Sequence, residues 1–274
     1  MPMPNSSLLV HPDRQAKGGR ETHVTPENAG WSYVGFDLWR LQKGRAAEEA
    51  TGEREACLVF VSGKGEVEAG GKKLGAAGGR DSPFDGKPWA VYVPAGSHWK
   101  VTATTDLELA VASAPATGRG AARIIQPEEL SVEERGRGTN LRRVVNILPE
   151  TDPTAESLLV VEVITPGGHW SSYPPHKHDR DALPEESLLE ETYYHRLKPA
   201  QGFAVQRIYT DDRSLDATLS VGDGDVTLVP RGYHPCGAPH GYDLYYLNTM
   251  AGPRRIWRFH NDPAHEWIVA KASG

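Results

Sequence analysis

The feature that most limits what this chain can fold into is its punctuation. Short runs of alternating apolar and polar residues, each closed by Gly or Pro, recur at intervals of roughly ten residues. Trp31-Ser-Tyr-Val-Gly-Phe-Asp-Leu-Trp39 puts large apolar side chains at nearly every second position, the period of a strand with one buried face. Leu58-Val-Phe-Val61 stops at Ser62-Gly-Lys-Gly65, and Glu66-Val-Glu-Ala-Gly-Gly71 runs into a hairpin turn. Trp89-Ala-Val-Tyr-Val-Pro-Ala-Gly96 ends on Pro-x-Gly, and Trp99–Thr104 and Leu107–Ala112 complete a meander. A second series covers Arg142–Ile147, Leu158–Ile164, Phe203–Tyr209, Ala217–Val221, Asp225–Val229, Leu244–Asn248 and Arg255–Phe259. Such a series predicts an all-β chain, built as a sandwich or barrel.

Between the two series the texture changes. Gln126-Pro-Glu-Glu-Leu-Ser-Val-Glu-Glu-Arg135 opens like a short helix, with Pro at its first turn, and Gly136-Arg-Gly-Thr-Asn140 reads as a loop. This break predicts two domains, residues 1–125 and 126–274, with residues 1–30 as an irregular opening segment. The halves echo each other: Val93-Pro-Ala-Gly-Ser-His98 parallels Val229-Pro-Arg-Gly-Tyr-His234, a strand running into Pro-x-Gly-x-His each time. The echo suggests a duplicated β unit. A net charge of −6 argues against a nucleic-acid-binding face. No apolar run near the N-terminus suits a signal peptide or membrane span, so a cytoplasmic protein is expected. Cys57 and Cys236 read as two reduced structural thiols, since two cysteines so far apart make neither a disulfide framework nor a C-x-x-C zinc pattern.

The chemistry concentrates in Gly167-Gly-His-Trp-Ser-Ser-Tyr-Pro-Pro-His-Lys-His-Asp179. In an extended segment His176 and His178 point to one face, so two imidazoles can converge on one ion. Lys177 and Asp179 then point away, as structural or supporting groups. Downstream, Leu189-Glu-Glu-Thr-Tyr-Tyr-His195 reads as a strand with Glu191, Tyr193 and His195 on one face and Glu190, Thr192 and Tyr194 on the other. His234 follows the Pro230-x-Gly232 turn, which aims its ring toward a barrel mouth. Histidines plus one carboxylate form a mixed nitrogen and oxygen site, suited to one divalent ion per chain: Zn, Mn, Fe, Co or Ni.

The sequence Gly…His-x-His…Glu followed by Gly-x5-Pro-x-Gly-x-His resembles the paired motifs of the cupin superfamily, with a longer spacing from His178 to the glutamate than is usual. Longer blocks are more specific. Ser172-Tyr-Pro-Pro-His-Lys-His-Asp179, Leu189–His195, Gln206–Asp212, Gly232-Tyr-His-Pro235, Tyr245-Tyr-Leu-Asn248, Met250-Ala-Gly-Pro253 and Trp257-Arg-Phe-His-Asn-Asp-Pro263 resemble the 5-deoxy-glucuronate isomerases of bacterial myo-inositol catabolism. The N-terminal half matches more loosely. The resemblance implies a bicupin, two antiparallel jelly-roll-like β-barrel domains. It also implies an aldose–ketose isomerase that converts 5-deoxy-D-glucuronate to 2-deoxy-5-keto-D-gluconate. The metal ligands are then His176, His178, a glutamate and His234. Glu191 is preferred over Glu190, because Glu-Thr-Tyr-Tyr resembles the ligand strand of related isomerases.

Such an enzyme needs a metal to hold the C1 and C2 oxygens and a base within reach of the substrate, whether a proton or a hydride moves. The expected proton carriers are Glu190 and His195, with Tyr193 and Tyr245 as donors to substrate oxygens. A uronate carboxylate calls for arginine, and Arg207, Arg231 and Arg258 lie in the matching blocks. The N-terminal half lacks H-x-H and is expected to hold no metal. The expected partners are a small sugar acid and further copies of the chain, without nucleic acid or membrane. The competing readings are a related 4-deoxy-5-keto uronate isomerase of pectin breakdown, a metal-dependent dioxygenase, and a non-catalytic storage bicupin.

Overall fold

The computed structural model describes residues 8–270, and nearly all of its regular structure is antiparallel strand. Four sheets stack in layers. A four-stranded sheet, in the order Ala46–Ala50, His98–Ala103, Lys64–Ala69, Lys72–Gly78, covers one face of a six-stranded sheet. The six strands run Arg123–Ile125, Trp89–Val93, Arg54–Ser62, Leu107–Pro115, Gly35–Leu41, Arg20–Val24. A seven-stranded sheet comes next: Leu9–Val10, Val226–Val229, Glu190–Lys198, Asp243–Ala251, Leu159–Thr165, Arg142–Leu148, Ser131–Arg135. The last layer has four strands, Trp170–Ser171, Cys236–Gly237, Ala204–Tyr209 and Asp216–Val221. The strand orders of the two halves correspond one to one, apart from the extra Ser131–Arg135 edge. The Pro-x-Gly echo falls on equivalent strands, Trp89–Val93 and Val226–Val229.

Three apolar cores fill the gaps between layers. Trp39, Leu58, Phe60, Trp99 and Leu109 fill the N-terminal sandwich. Tyr193, Ile208, Leu219, Cys236, Tyr246 and Met250 fill the C-terminal one. The third core lies between the two large sheets and joins Phe36, Leu38, Val59 and Tyr92 to Val145, Tyr194, Tyr245 and Leu247. Each central strand therefore buries both of its faces, which explains their nearly continuous apolar runs. Each half is a two-sheet sandwich, consistent with the expected jelly-roll-like bicupin, and its sheets do not close into a continuous barrel. The four-stranded sheets end in free edges, Lys72–Gly78 and Asp216–Val221, that do not pair with the larger sheets. Cys57 and Cys236 are free, buried thiols.

Buried polar groups fix how the halves meet. Glu55, at the start of Arg54–Ser62, accepts the backbone amides of Glu156, Ser157 and Leu158. Glu190, at the start of the matching strand, accepts those of Ser32, Tyr33 and Val34. Arg80 forks onto Glu162 at 3.0 and 2.9 Å. Glu108 takes the Tyr194 hydroxyl at 2.5 Å and the Arg196 guanidinium at 2.7 and 2.6 Å.

Three expectations are corrected. Residues 1–7 of the opening segment lie outside the described residues, and from residue 8 on it is not irregular: it contributes Leu9–Val10 and Arg20–Val24 to the two large sheets and a short capped helix, Pro26–Ala29. The acidic stretch after Gln126 makes only a 3-10 turn, Pro127–Glu129, because Ser131–Arg135 finds a strand partner in Arg142–Leu148 across the Gly136 turn. Arg255–Phe259 is not a strand. Gly252 packs where a Cβ would lie 1.9 Å from the Leu188 carbonyl, and Arg255 donates to the carbonyls of Leu148, Pro149, Asp152 and Leu158. The segment instead crosses to His260–Asn261, which pairs with His176–Lys177.

Candidate metal centre

Strand alternation on Glu190–Lys198 separates the two neighbouring glutamates. Glu191 points into the C-terminal sandwich, where its Oε2 lies 3.2 Å from His178 Nε2 and 3.2 Å from His234 Nε2. The three side chains are buried, and their ligand atoms lie within 4.8 Å of one another. The second ring nitrogens are held from behind. His178 Nδ1 meets the Leu189 carbonyl at 3.1 Å, and His234 Nδ1 meets the Gly232 carbonyl at 2.8 Å. Carbonyls only accept, so each Nδ1 carries a proton and each Nε2 is turned toward the shared point. His234 Nε2 makes no hydrogen bond although it is fully buried. Burial holds the His234 pKa down to about 4, so the ring is a neutral donor. These residues fit a divalent metal with mixed nitrogen and oxygen donors.

His176 adjoins this trio. Its ring centroid is 5.1 Å from that of His234 and 6.4 Å from that of His178. Burial, with the two neighbouring imidazoles, pushes its pKa well below the usual range. Phe259, carried in by the crossing segment, stacks on its other side at 4.6 Å.

Beside the trio, the Tyr193 ring centroid lies 5.9 Å from that of His234, and its hydroxyl is 2.9 Å from Ser172 Oγ. Burial, then the charge of Glu191, raises the Tyr193 pKa well above 10, so the hydroxyl donates protons rather than removing them. His195 stacks on Tyr193 at 5.9 Å, bonds Thr227 Oγ1 at 3.1 Å, and is pushed by burial to a pKa of about 3.

Several expected site residues face elsewhere. Glu190 lies on the opposite face of its strand and binds the N-terminal half, so it is no proton carrier at this site. Tyr245 also points into the core between the large sheets, with its hydroxyl on Glu162 at 3.1 Å. Its neighbour Tyr246 turns inward and packs on Tyr193 at 4.9 Å. Alternation along Asp243–Ala251 would have separated the two, had the buried face been known. Arg207 forks onto Asp216 and covers Tyr209, well exposed. Arg231 is exposed. Arg258 borders the cleft over the site but is bound to Glu150 at 2.9 and 3.1 Å. That cleft, about 370 Å³, is also lined by His176, Arg135, Arg142, Asn146, Trp257 and Phe259. At the matching turn of the N-terminal half, His98 is exposed.

The profile of the KduI/IolB family matches residues 8–268. A 5-deoxy-glucuronate isomerase of Geobacillus kaustophilus is 53% identical over 265 residues, 96% of either chain. The enzyme of the same name from Geobacillus thermodenitrificans is 55% identical over 265 residues, again 96% of each. Among solved structures, an IolB-like protein from Salmonella typhimurium superposes with a TM-score of 0.92 at 50% identity, covering 96% of this chain and 99% of that one. Lactobacillus farciminis oxalate decarboxylase, at 14% identity and a TM-score of 0.66, shares the bicupin fold alone, over 93% of this chain and 88% of its own. With the family profile spanning nearly every described residue and relatives at half identity over almost the whole length, this chain belongs to the KduI/IolB family.

Proposed function

We propose that the chain is a metal-dependent 5-deoxy-glucuronate isomerase, converting 5-deoxy-D-glucuronate to 2-deoxy-5-keto-D-gluconate in myo-inositol breakdown. The observation that carries the metal part of this reading is the trio of His178, Glu191 and His234, with both Nδ1 atoms held by backbone carbonyls and both Nε2 atoms aimed at one point. His176 belongs to the proposed ligand set as the neutral imidazole that abuts His234. A divalent ion held by these residues would supply a Lewis acid for the negative charge that develops on substrate oxygen. The chain's own groups do the rest. Tyr193, with Ser172 behind it, holds a proton for a substrate oxygen. His195 stays neutral beneath Tyr193 and keeps that ring in place. Phe259 and Trp257 cover the cleft and limit water around the reacting carbons.

The relatives described above carry the name 5-deoxy-glucuronate isomerase, so the pectin uronate isomerase and dioxygenase readings fall behind it. No helix among the described residues is long and apolar enough to cross a membrane. A cytoplasmic location and self-association complete the proposal. The test is an anaerobic assay with 5-deoxy-glucuronate before and after chelation, with each of Zn, Mn, Fe, Co and Ni restored in turn. Ketose formation that depends on the metal supports the reading; none from any metal-loaded form refutes it.

A further inference from the structure

A uronate differs from a neutral sugar at one end, and the protein must hold that anion away from the metal if the aldehyde end is to react. A receptor for it should be a cation in the same cleft, partly shielded from water and not already neutralised by a protein carboxylate. The arginines at the cleft can be sorted on these terms. Arg258 is bound by both oxygens of Glu150. Arg135 is paired with Glu133 at 2.7 Å and lies over the Trp257 ring. Arg142 differs from both. It is half-buried, and among the described residues no carboxylate comes within ion-pair distance of it. Glu133, the carboxylate whose charge acts on Arg142, gives its Oε1 to Arg135 and to Asn146 Nδ2. Among the described residues the Arg142 guanidinium makes one hydrogen bond, to the Asn140 carbonyl at 3.1 Å, which leaves most of the fork free.

Register places this group on the inner face. Val144, two residues on, belongs to the C-terminal core with Val163 and Tyr246, whereas Val145 points to the core between the halves. Arg142 therefore shares a face with Val144 and Asn146, and it lines the cleft together with His176. Its charge is felt at both His176 and Tyr246. Gly136 keeps the seat open. A Cβ there would lie 2.9 Å from Arg142 Nη1 and 2.2 Å from the Asn140 oxygen, and its backbone φ is +86°.

We propose that Arg142 is the receptor for the substrate carboxylate, fixing the acid end of the uronate in the cleft that His176 shares with the metal centre. This rests on the isomerase reading for the substrate's identity, but its test separates the two. In steady-state kinetics with metal-loaded enzyme, Arg142→Leu raises KM for 5-deoxy-glucuronate by ~10- to 100-fold, the loss of one or two charge-assisted bonds. Arg142→Lys, which keeps the charge but not the fork, recovers part of it. The native preference for the uronate over its neutral counterpart, with CH2OH in place of the carboxylate, shrinks in Arg142→Leu. Arg207→Leu, on the exposed face, leaves both unchanged. Calorimetric titration of D-glucuronate gives a readout independent of turnover: the native protein binds it and Arg142→Leu does not, at equal metal content. Native protein that ignores glucuronate, or variants that bind and turn over like native protein, overturns the proposal. Absence of isomerisation alongside Arg142-dependent glucuronate binding counts only against the isomerase reading.

Discussion

Neighbouring carboxylates on one strand offer a sharp test of how this site is built. Glu190 accepts the amides of Ser32, Tyr33 and Val34 at 2.7, 2.7 and 3.0 Å, and Glu191 faces the two histidines. Replacing Glu190 with Ala removes three charge-assisted hydrogen bonds, each worth ~1.5–3 kcal/mol net. Part of that loss is recovered, because a charged carboxylate no longer has to be buried and the outer two amides can be hydrated. The Val34 residue is fully buried, so its amide is left without a partner at a cost of ~1–3 kcal/mol. The expected destabilisation is about 3–5 kcal/mol, or roughly 10 °C in Tm for a chain of this size. Metal binding should survive, since no ligand is touched. Glu191→Ala should do the reverse: lose the metal and the activity while the metal-free protein melts within a few degrees of the native metal-free form. Metal content by mass spectrometry and thermal melts with and without chelator read both effects. Loss of metal from Glu190→Ala as complete as from Glu191→Ala would refute the assignment of the two faces, as would an unchanged melt.

Four further outcomes follow from the same structure. Tyr193→Phe should keep metal content and fold yet lower kcat by ~10²-fold or more, the scale of a lost proton donor; an unchanged kcat removes Tyr193 from the chemistry. Arg80→Ala should cost ~3–5 kcal/mol, because it strands the buried Glu162 carboxylate; urea titration within 1 kcal/mol of native would contradict this. His195 bears on acid stability. Its folded pKa, near 3, lies below the unfolded value of about 6.5, so the unfolded chain binds the extra proton. Its contribution is complete above pH ~6.5 and is lost as pH falls toward the folded value. His195→Gln should therefore flatten the fall in stability between about pH 6 and 4, and an equally steep fall in urea titrations across that range would count against it. Chelated protein should melt lower than metal-loaded protein and recover on adding the ion back, because only the folded state presents the converged trio.

Much of this was legible in the sequence, and the failures share a physical cause. The strands and the Pro-x-Gly echo follow from period-two alternation and turn chemistry, both local, whereas the preference for Glu191 over Glu190 rests on the resemblance of Glu-Thr-Tyr-Tyr to related isomerases. What alternation cannot tell is which face of a doubly buried strand looks at which core. Tyr245 and Tyr246 are equally apolar and equally buried, so nothing local distinguishes the one at the site. Glu190 was misjudged for the same reason: both strand faces are interior, and the second interior is supplied by a distant half of the chain. Arg142 carries no local signal, because its significance is the lack of a paired acid, which only the fold reveals. Arg255–Phe259 failed as a strand because its apolar pattern serves a crossing segment that covers His176.

The short strand Leu9–Val10 has a consequence for how the molecule assembles. It pairs with Thr227 and Val226, and the Leu8 carbonyl accepts the Leu228 amide, so an early stretch of the chain finishes a sheet whose other strands all come from beyond residue 130. During synthesis this segment has no partner until residues near 226–229 have emerged. Until Leu9–Val10 docks, Val226–Val229 forms an open edge beside the strand that carries Glu191, free to pair with another molecule. Docking of Leu9–Val10 is thus a late, long-range closure that seals the metal-bearing sheet against self-association. Deleting it should favour aggregation of nascent or refolding protein before it affects the metal centre of molecules already folded.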